Sequence, residues 1–253
     1  MKYNICVPIA IKSGDIEAIK LTIKKILDVK PELIEFRFDY IDDIVNLSPF
    51  FLKDLLVSIP KSVFSIFTFR ASSEGGQIDI GLSERLKIIN MLIEAKPSYF
   101  DIEMRTDLEV LRNIINLTNS HGVKLIFSYH DFDKTPSYEK VLNIFENFKE
   151  TLLENHIVDF LTFKKLTYKL IFTAKNFEDN LIPIKLCKTV SEKEKDQAII
   201  SFCMGELGIL SRILCVKFGS FLTFGSYEEE TAPGQVNVRI IREIHQLLFA
   251  NED

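Results

Sequence analysis

The chain has 253 residues, 47% of them hydrophobic and 26% charged, a composition that suits one soluble globular domain with a large core. Its formal net charge of −5 argues against a nucleic-acid binder, which carries a basic excess, so any anionic ligand needs a local basic site. Cys6, Cys187, Cys203 and Cys215 form no C-x-x-C pair and no metal spacing with His121, His130, His156 and His245, which argues against a disulfide framework or a zinc site and suits a reducing cytoplasm.

Residues 1–10, MKYNICVPIA, read as a strand with a single Lys, and no run approaches the ~18 apolar residues of a membrane span. Strands are expected at Tyr3–Ala10, Leu33–Tyr40, Val63–Arg70, Tyr99–Met104, Lys124–His130, Tyr168–Ala174, Ala198–Met204 and Phe221–Ser226. Stretches with helical spacing lie between them, for example Ile16–Leu27, Glu84–Ala95, Leu108–Asn119, Lys140–Leu153 and Val238–Phe249. Eight strands alternating with helices predict an α/β fold, a (β/α)8 barrel, and with no linker or repeat to divide it the chain reads as a single domain over 1–253. One irregular stretch, NHIVDFLTFKKLT (155–167), adds residues before the sixth strand.

The interior of such a barrel is ordinarily apolar, and several strands here depart from that rule. In ELIEFRFDY, Ile34, Phe36 and Phe38 share one face while Glu35, Arg37 and Asp39 share the other. Thr68 and Arg70 share a face in the third strand, Asp101 and Glu103 in the fourth, Ser128 and His130 in the fifth. This register turns His130 inward among those charges. Burying so many together is costly unless they are paired or bind a ligand, so the pattern points to a ligand site. The segments after the strands, RASSEGG (70–76), HDFDKTP (130–136), CMGELGILSR (203–212) and TAPGQ (231–235), lie where barrel enzymes carry their chemistry.

Taken in order, EFRFDY, FTFRASSEGG, FDIEM, SYHDFDKTP, KLIFTAKNFEDN, SFCMGELGILSR, FGSFLTFGS and ETAPGQ resemble the type I 3-dehydroquinate dehydratases, over nearly the whole chain. The resemblance implies a (β/α)8 barrel hydro-lyase that converts 3-dehydroquinate to 3-dehydroshikimate in the shikimate pathway through an imine on a lysine. It implies His130 as general acid and base, Glu74 as the carboxylate supporting that imidazole, and Arg212 as the partner of the substrate carboxylate. Glu35, Arg37 and Arg70 match positions that hold the substrate hydroxyls, Met204 an apolar contact, and Thr231 and Gln235 a closing loop, with Thr231 standing where Ser is often found. The imine-forming residue is expected to be Lys169, which shares its face with Ile171 and Thr173. Rivals are the neighbourhood of Thr162, with Lys164 and Lys165, and Lys185 in the strand-like IPIKLCKTV. Lys169 preserves the downstream AKNFEDN and the distance to the seventh strand, and it requires an insertion around 154–167.

The resemblance implies no cofactor, and Arg37 and Arg70 would crowd a cation held by Glu35, Asp39, Asp101, Glu103 and His130. It also implies a homodimer, with a small-molecule substrate and neither nucleic acid nor membrane as partner. The polar Glu228–Gln235 segment reads as a mobile lid. Two other readings keep the scaffold: a Schiff-base aldolase, which the EGG, GELGILSR and TAPGQ set disfavours, and a non-catalytic relative, which would have lost the Lys, His or Arg.

Overall fold

Period-2 apolar runs form strands and 3.6-period runs form helices along the computed structural model, which describes residues 3–158, 166–194 and 196–249. The order is β1 Ile5–Ala10, α1 Ile16–Leu27, β2 Leu33–Arg37, α2 Pro49–Val57, β3 Phe64–Thr68, α3 Leu82–Glu94, β4 Tyr99–Glu103 and α4 Leu108–His121. It continues β5 Lys124–His130, α5 Tyr138–Glu154, β6 Thr167–Thr173, α6 Leu181–Lys193, β7 Ala198–Met204, α7 Ile209–Leu214, β8 Thr223–Ser226, β9 Val236–Asn237 and α8 Val238–Phe249. Helix α1 shows why the limits fall where they do. Asp15 accepts the Ala18 N–H at its start, and Ile19, Ile23 and Ile26 bury one stripe.

Several expectations need correction. Strand β2 stops at Arg37, because Phe38–Tyr40 tighten into a 3-10 turn; Asp39 therefore lies on that turn and not on the strand. Strand β3 likewise stops at Thr68, two residues short of Arg70. A short ninth strand, Val236–Asn237, pairs with β8. IPIKLCKTV lies within α6, not in a strand, and Lys185 sits on that helix's exposed face with Nζ 3.9 Å from the Tyr138 ring centroid. Of the irregular 155–167 stretch, residues 159–165, with Thr162, Lys164 and Lys165, lie outside the described residues.

The chain clusters into two compact units, one of Pro8–Ile126 and one of Met1–Val7 with Phe127–Asp253. Both boundaries fall inside strands, β1 and β5. In the Pro8–Ile126 unit, β2, β3 and β4 run parallel, with Arg37 opposite Thr68 and Thr68 opposite Asp101. Their helix-facing side is aromatic: Phe67 meets Phe36 and Phe38 edge-on at 5.7 and 4.8 Å. In the other unit β6 pairs with β7 along its length, Lys169 opposite Ile200 and Thr173 opposite Met204. There β8 pairs with β1, Cys6 opposite Phe224, and the Phe221 N–H donates to the Ile199 carbonyl at 2.7 Å. Tyr168 on β6 points outward into a cluster with Phe145, at 5.0 Å, Phe127 and Phe148. Each such ring contributes roughly 1.5–3 kcal/mol of hydrophobic stabilisation when fully buried. All four cysteines are buried thiols outside any disulfide.

Candidate active site

In the Pro8–Ile126 unit the charged faces of β2, β3 and β4 form a buried network. Arg37 forks onto Asp39 through Nε and Nη2, at 2.8 and 2.7 Å, and its guanidinium carbon lies 5.1 Å from the Tyr40 ring centroid. The 3-10 turn after β2 makes this fork possible, because it swings Asp39 back over the strand end. Asp39 also accepts the Arg70 N–H at 3.3 Å, which ties the ends of β2 and β3 together. Thr68 donates its hydroxyl to Glu35 at 2.8 Å.

Arg70 reaches across to β4, donating to Asp101 at 2.8 Å and to Glu103 at 3.1 Å. Burial works against its charge, but Asp101, Glu103, Glu35 and Glu74 outweigh that penalty and hold the guanidinium above its ordinary range. Glu103 is the hub of the network. Besides Arg70 it accepts from Arg85 at 2.7 Å and from the Ala71 N–H at 2.8 Å. That last bond anchors the start of the Ser72–Glu74 3-10 turn, which places Glu74, itself buried, 3.8 Å from Arg105. Gly76 closes the turn against the Arg70 carbonyl, with which a Cβ would collide.

In the other unit the Asp131 N–H donates to the Ile171 carbonyl at 2.9 Å. In a parallel ladder that bond sets His130 opposite Ile171 and Ser128 opposite Lys169, so all four side chains share one face. Ser128 is buried, while His130 at the strand end is half-buried and stacks on Phe132. Lys169 is only 6% exposed, and its Nζ lies 4.7 Å from the Phe224 ring centroid. The β6–β7 register places Phe202 and Met204 on the face of Ile171 and Thr173, and thus of Lys169.

Arg212 projects from α7 and is 1% exposed. Its guanidinium carbon lies 4.5 Å from the Phe202 ring centroid, and Nη2 donates to the Pro233 carbonyl at 3.3 Å. Among the described residues no carboxylate pairs with it and its Nε has no hydrogen-bond partner. Burial consequently lowers the group from 12.5 to about 10, against a smaller opposing pull from Cys215, Glu230 and Cys203. A desolvated guanidinium with donors to spare is a receptor for an anion.

The Thr231–Gln235 loop is internally stapled: the Gln235 side chain accepts the Thr231 N–H at 2.9 Å and donates to the Thr231 hydroxyl at 3.2 Å. It is anchored as well, because the Pro233 carbonyl also accepts the Gly205 N–H at 3.2 Å. Gly234, at φ +72°, packs against the Gly205 carbonyl with no room for a Cβ.

Thus Glu35, Arg37, Arg70 and Glu74 gather in one unit, and His130, Lys169, Met204, Arg212, Thr231 and Gln235 in the other. The sequence reading did not single out Phe202, Phe224, Arg85 or the Pro233 carbonyl. For the two rings a signal was present: Phe202 lies two residues before Met204, and Phe224 sits at the same spacing from Ser226. Period-2 apolar residues, however, are what an ordinary barrel core also displays. Among the described residues no group of three or more His, Cys, Asp or Glu is arranged to hold a metal ion, and no helix is long and apolar enough to cross a membrane.

Alternating β and α elements with charged side chains buried on the inner strand faces define a (β/α)8-barrel enzyme, and solved structures share that fold. The 3-dehydroquinate dehydratase of Geobacillus kaustophilus superposes with a TM-score of 0.83 at 23% identity, covering 100% of this chain and 93% of that one. A type I 3-dehydroquinate dehydratase from Clostridium difficile, solved with covalently modified comenic acid, gives 0.81 at 26% identity, covering 100% and 94%. The 3-dehydroquinate dehydratase of Methanocaldococcus jannaschii is 34% identical over 249 residues, spanning 96% of this chain and 98% of its own. That of Listeria welshimeri is 31% identical over 249 residues, spanning 97% and 92%. The family model for type I 3-dehydroquinase matches residues 5–252, and the chain belongs to that family of hydro-lyases.

Proposed function

We propose that the chain acts, as a single domain, on 3-dehydroquinate, removing water to give 3-dehydroshikimate in the shikimate route to aromatic amino acids. The observation that carries this reading is the pair of basic side chains on one aromatic floor. Arg212 is a buried guanidinium without a carboxylate partner among the described residues, and Lys169 is a buried amine 4.7 Å from the neighbouring ring centroid. A ketone that also bears a carboxylate offers a complement to each.

In the reaction, the neutral amine of Lys169 adds to the ketone carbon, and the carbinolamine, its hydroxyl protonated by the His130 imidazolium, loses water to leave an iminium. The iminium withdraws electrons and makes the adjacent C–H acidic. His130 takes that proton and returns it to the hydroxyl that departs from the next carbon, as an imidazole does best near neutral pH. A second water hydrolyses the iminium, so the net change is the loss of one water from the substrate and Lys169 is restored. Glu74 supports the imidazolium charge, Arg212 binds the carboxylate, Glu35, Arg37 and Arg70 orient the hydroxyls, Met204 packs against the ring, and Thr231 and Gln235 close over it.

The enzyme works without a cofactor, in the cytoplasm, where its free thiols stay reduced. It assembles as a homodimer; Leu247 on α8, 84% exposed, and Leu248 beside it supply apolar surface of the kind a second copy covers. The test is to incubate the protein with 3-dehydroquinate, reduce with borohydride, digest and locate the modified lysine by mass spectrometry. Label on Lys169 with product formed is the expected result. Label on Lys164, Lys165 or Lys185 would move the nucleophile, and neither label nor product would overturn the function.

A further inference from the structure

We propose that Phe202 and Phe224 are positioning residues of the reaction, their ring faces holding the Arg212 guanidinium and the Lys169 nitrogen in place as the latter's charge changes. The inference deepens the function proposed above and rests on Lys169 as the imine-forming residue. Both rings are buried, and their centroids lie 6.1 Å apart at an interplanar angle of 59°. Phe224 lies under the Lys169 Nζ at 4.7 Å, and Phe202 under the Arg212 guanidinium carbon at 4.5 Å. The two strands that supply them differ, β7 and β8, yet each ring meets a basic side chain within the ~6 Å range of a ring-face contact. Two such contacts on adjoining rings are more than apolar filling requires.

The energetics distinguish the two rings. When the amine nitrogen bonds to the ketone carbon and the neutral carbinolamine loses its hydroxyl as water with a proton from the His130 imidazolium, the nitrogen is left in a cationic iminium. A ring face attracts that cation but not the neutral carbinolamine, so Phe224 favours the step that creates the electron sink. Phe202 meets a charge that does not change during turnover. A guanidinium stacked over a ring keeps its N–H donors in its own plane, and Nη2 already uses one on Pro233. The remaining edge is thereby held for a carboxylate, which is a binding effect.

The experiment is site-specific incorporation of mono-, di- and trifluorophenylalanine, which weakens the ring face with little change of shape. At position 224 we expect kcat to fall stepwise, by about 2- to 30-fold across the series, with KM nearly constant. The fraction of enzyme trapped by borohydride at saturating 3-dehydroquinate should fall in step. At position 202 we expect KM to rise stepwise with kcat and trapping unchanged. Phe224→Leu should lose at least as much kcat as the trifluorinated ring. A flat response at both positions, with the unsubstituted enzyme labelled at Lys169, would overturn this inference and leave the function standing. Absence of label and turnover in the unsubstituted enzyme would overturn both.

Discussion

Arg212 is buried at a cost that nothing in its own surroundings offsets fully: a ring face and one carbonyl receive it, and no carboxylate does among the described residues. Burial accordingly lowers its pKa to about 10. The sign of the linkage follows directly. Below about 10 both folded and unfolded forms carry the proton, so the full destabilisation is present at neutral pH; between about 10 and 12.5 the unfolded state binds more protons, and stability recovers as pH rises. Arg212→Met should therefore raise the thermal midpoint of the ligand-free protein at pH 7 by a few degrees, roughly what removing 1–3 kcal/mol of burial penalty produces at this size. The same variant should raise KM at least 100-fold, through loss of a buried charge-assisted contact. Thermal melts and steady-state kinetics on one preparation check both. A lower midpoint would mean that the charge has a partner in the free enzyme.

At the scale of elements, the turn after β3 depends on a strand it does not belong to. Glu103 on β4 receives Arg70, Arg85 and the Ala71 N–H, so one carboxylate sets both the guanidinium and the start of the turn carrying Glu74. Glu103→Gln keeps the shape but removes the charge and points an N–H₂ group at donors. Losing one partner of a buried ion pair costs about 3–5 kcal/mol, so we expect a midpoint lower by roughly 10 °C. KM should rise more than kcat falls, because Arg70 and Glu74 are displaced together. An unchanged midpoint would show that Arg70 is satisfied by Asp101 alone. The Thr231–Gln235 loop is a contrast, since its staple is local and needs only its own residues.

For the whole molecule, the division into two compact units cuts through β1 between Val7 and Pro8 and through β5 between Ile126 and Phe127. A domain linker is exposed and irregular, whereas these boundaries run along buried strands. We therefore expect one calorimetric transition, with the calorimetric and van't Hoff enthalpies equal. Two resolved transitions would show that the units melt independently and would overturn the single-domain reading.

The residue pattern alone determined a good deal. Charged residues at period 2 in ELIEFRFDY and FDIEM announced buried charge, and the bounds of α1, β5, β7 and α8 followed from local spacing. The segment IPIKLCKTV within α6 read as strand-like because its start is β-branched and contains Pro. Asp39 was legible as an inward-facing group but not as a member of a turn, and Arg70 not as a residue beyond its strand's end. What the tertiary structure alone decided is the choice of partner: Arg37 with Asp39, Arg70 with Asp101 and Glu103, Lys169 with the Phe224 ring, Arg212 with Phe202. Side-chain period is a property of one strand and can be read along it. Partnership depends on register between strands and on the path of the turns, which are set when the whole core packs.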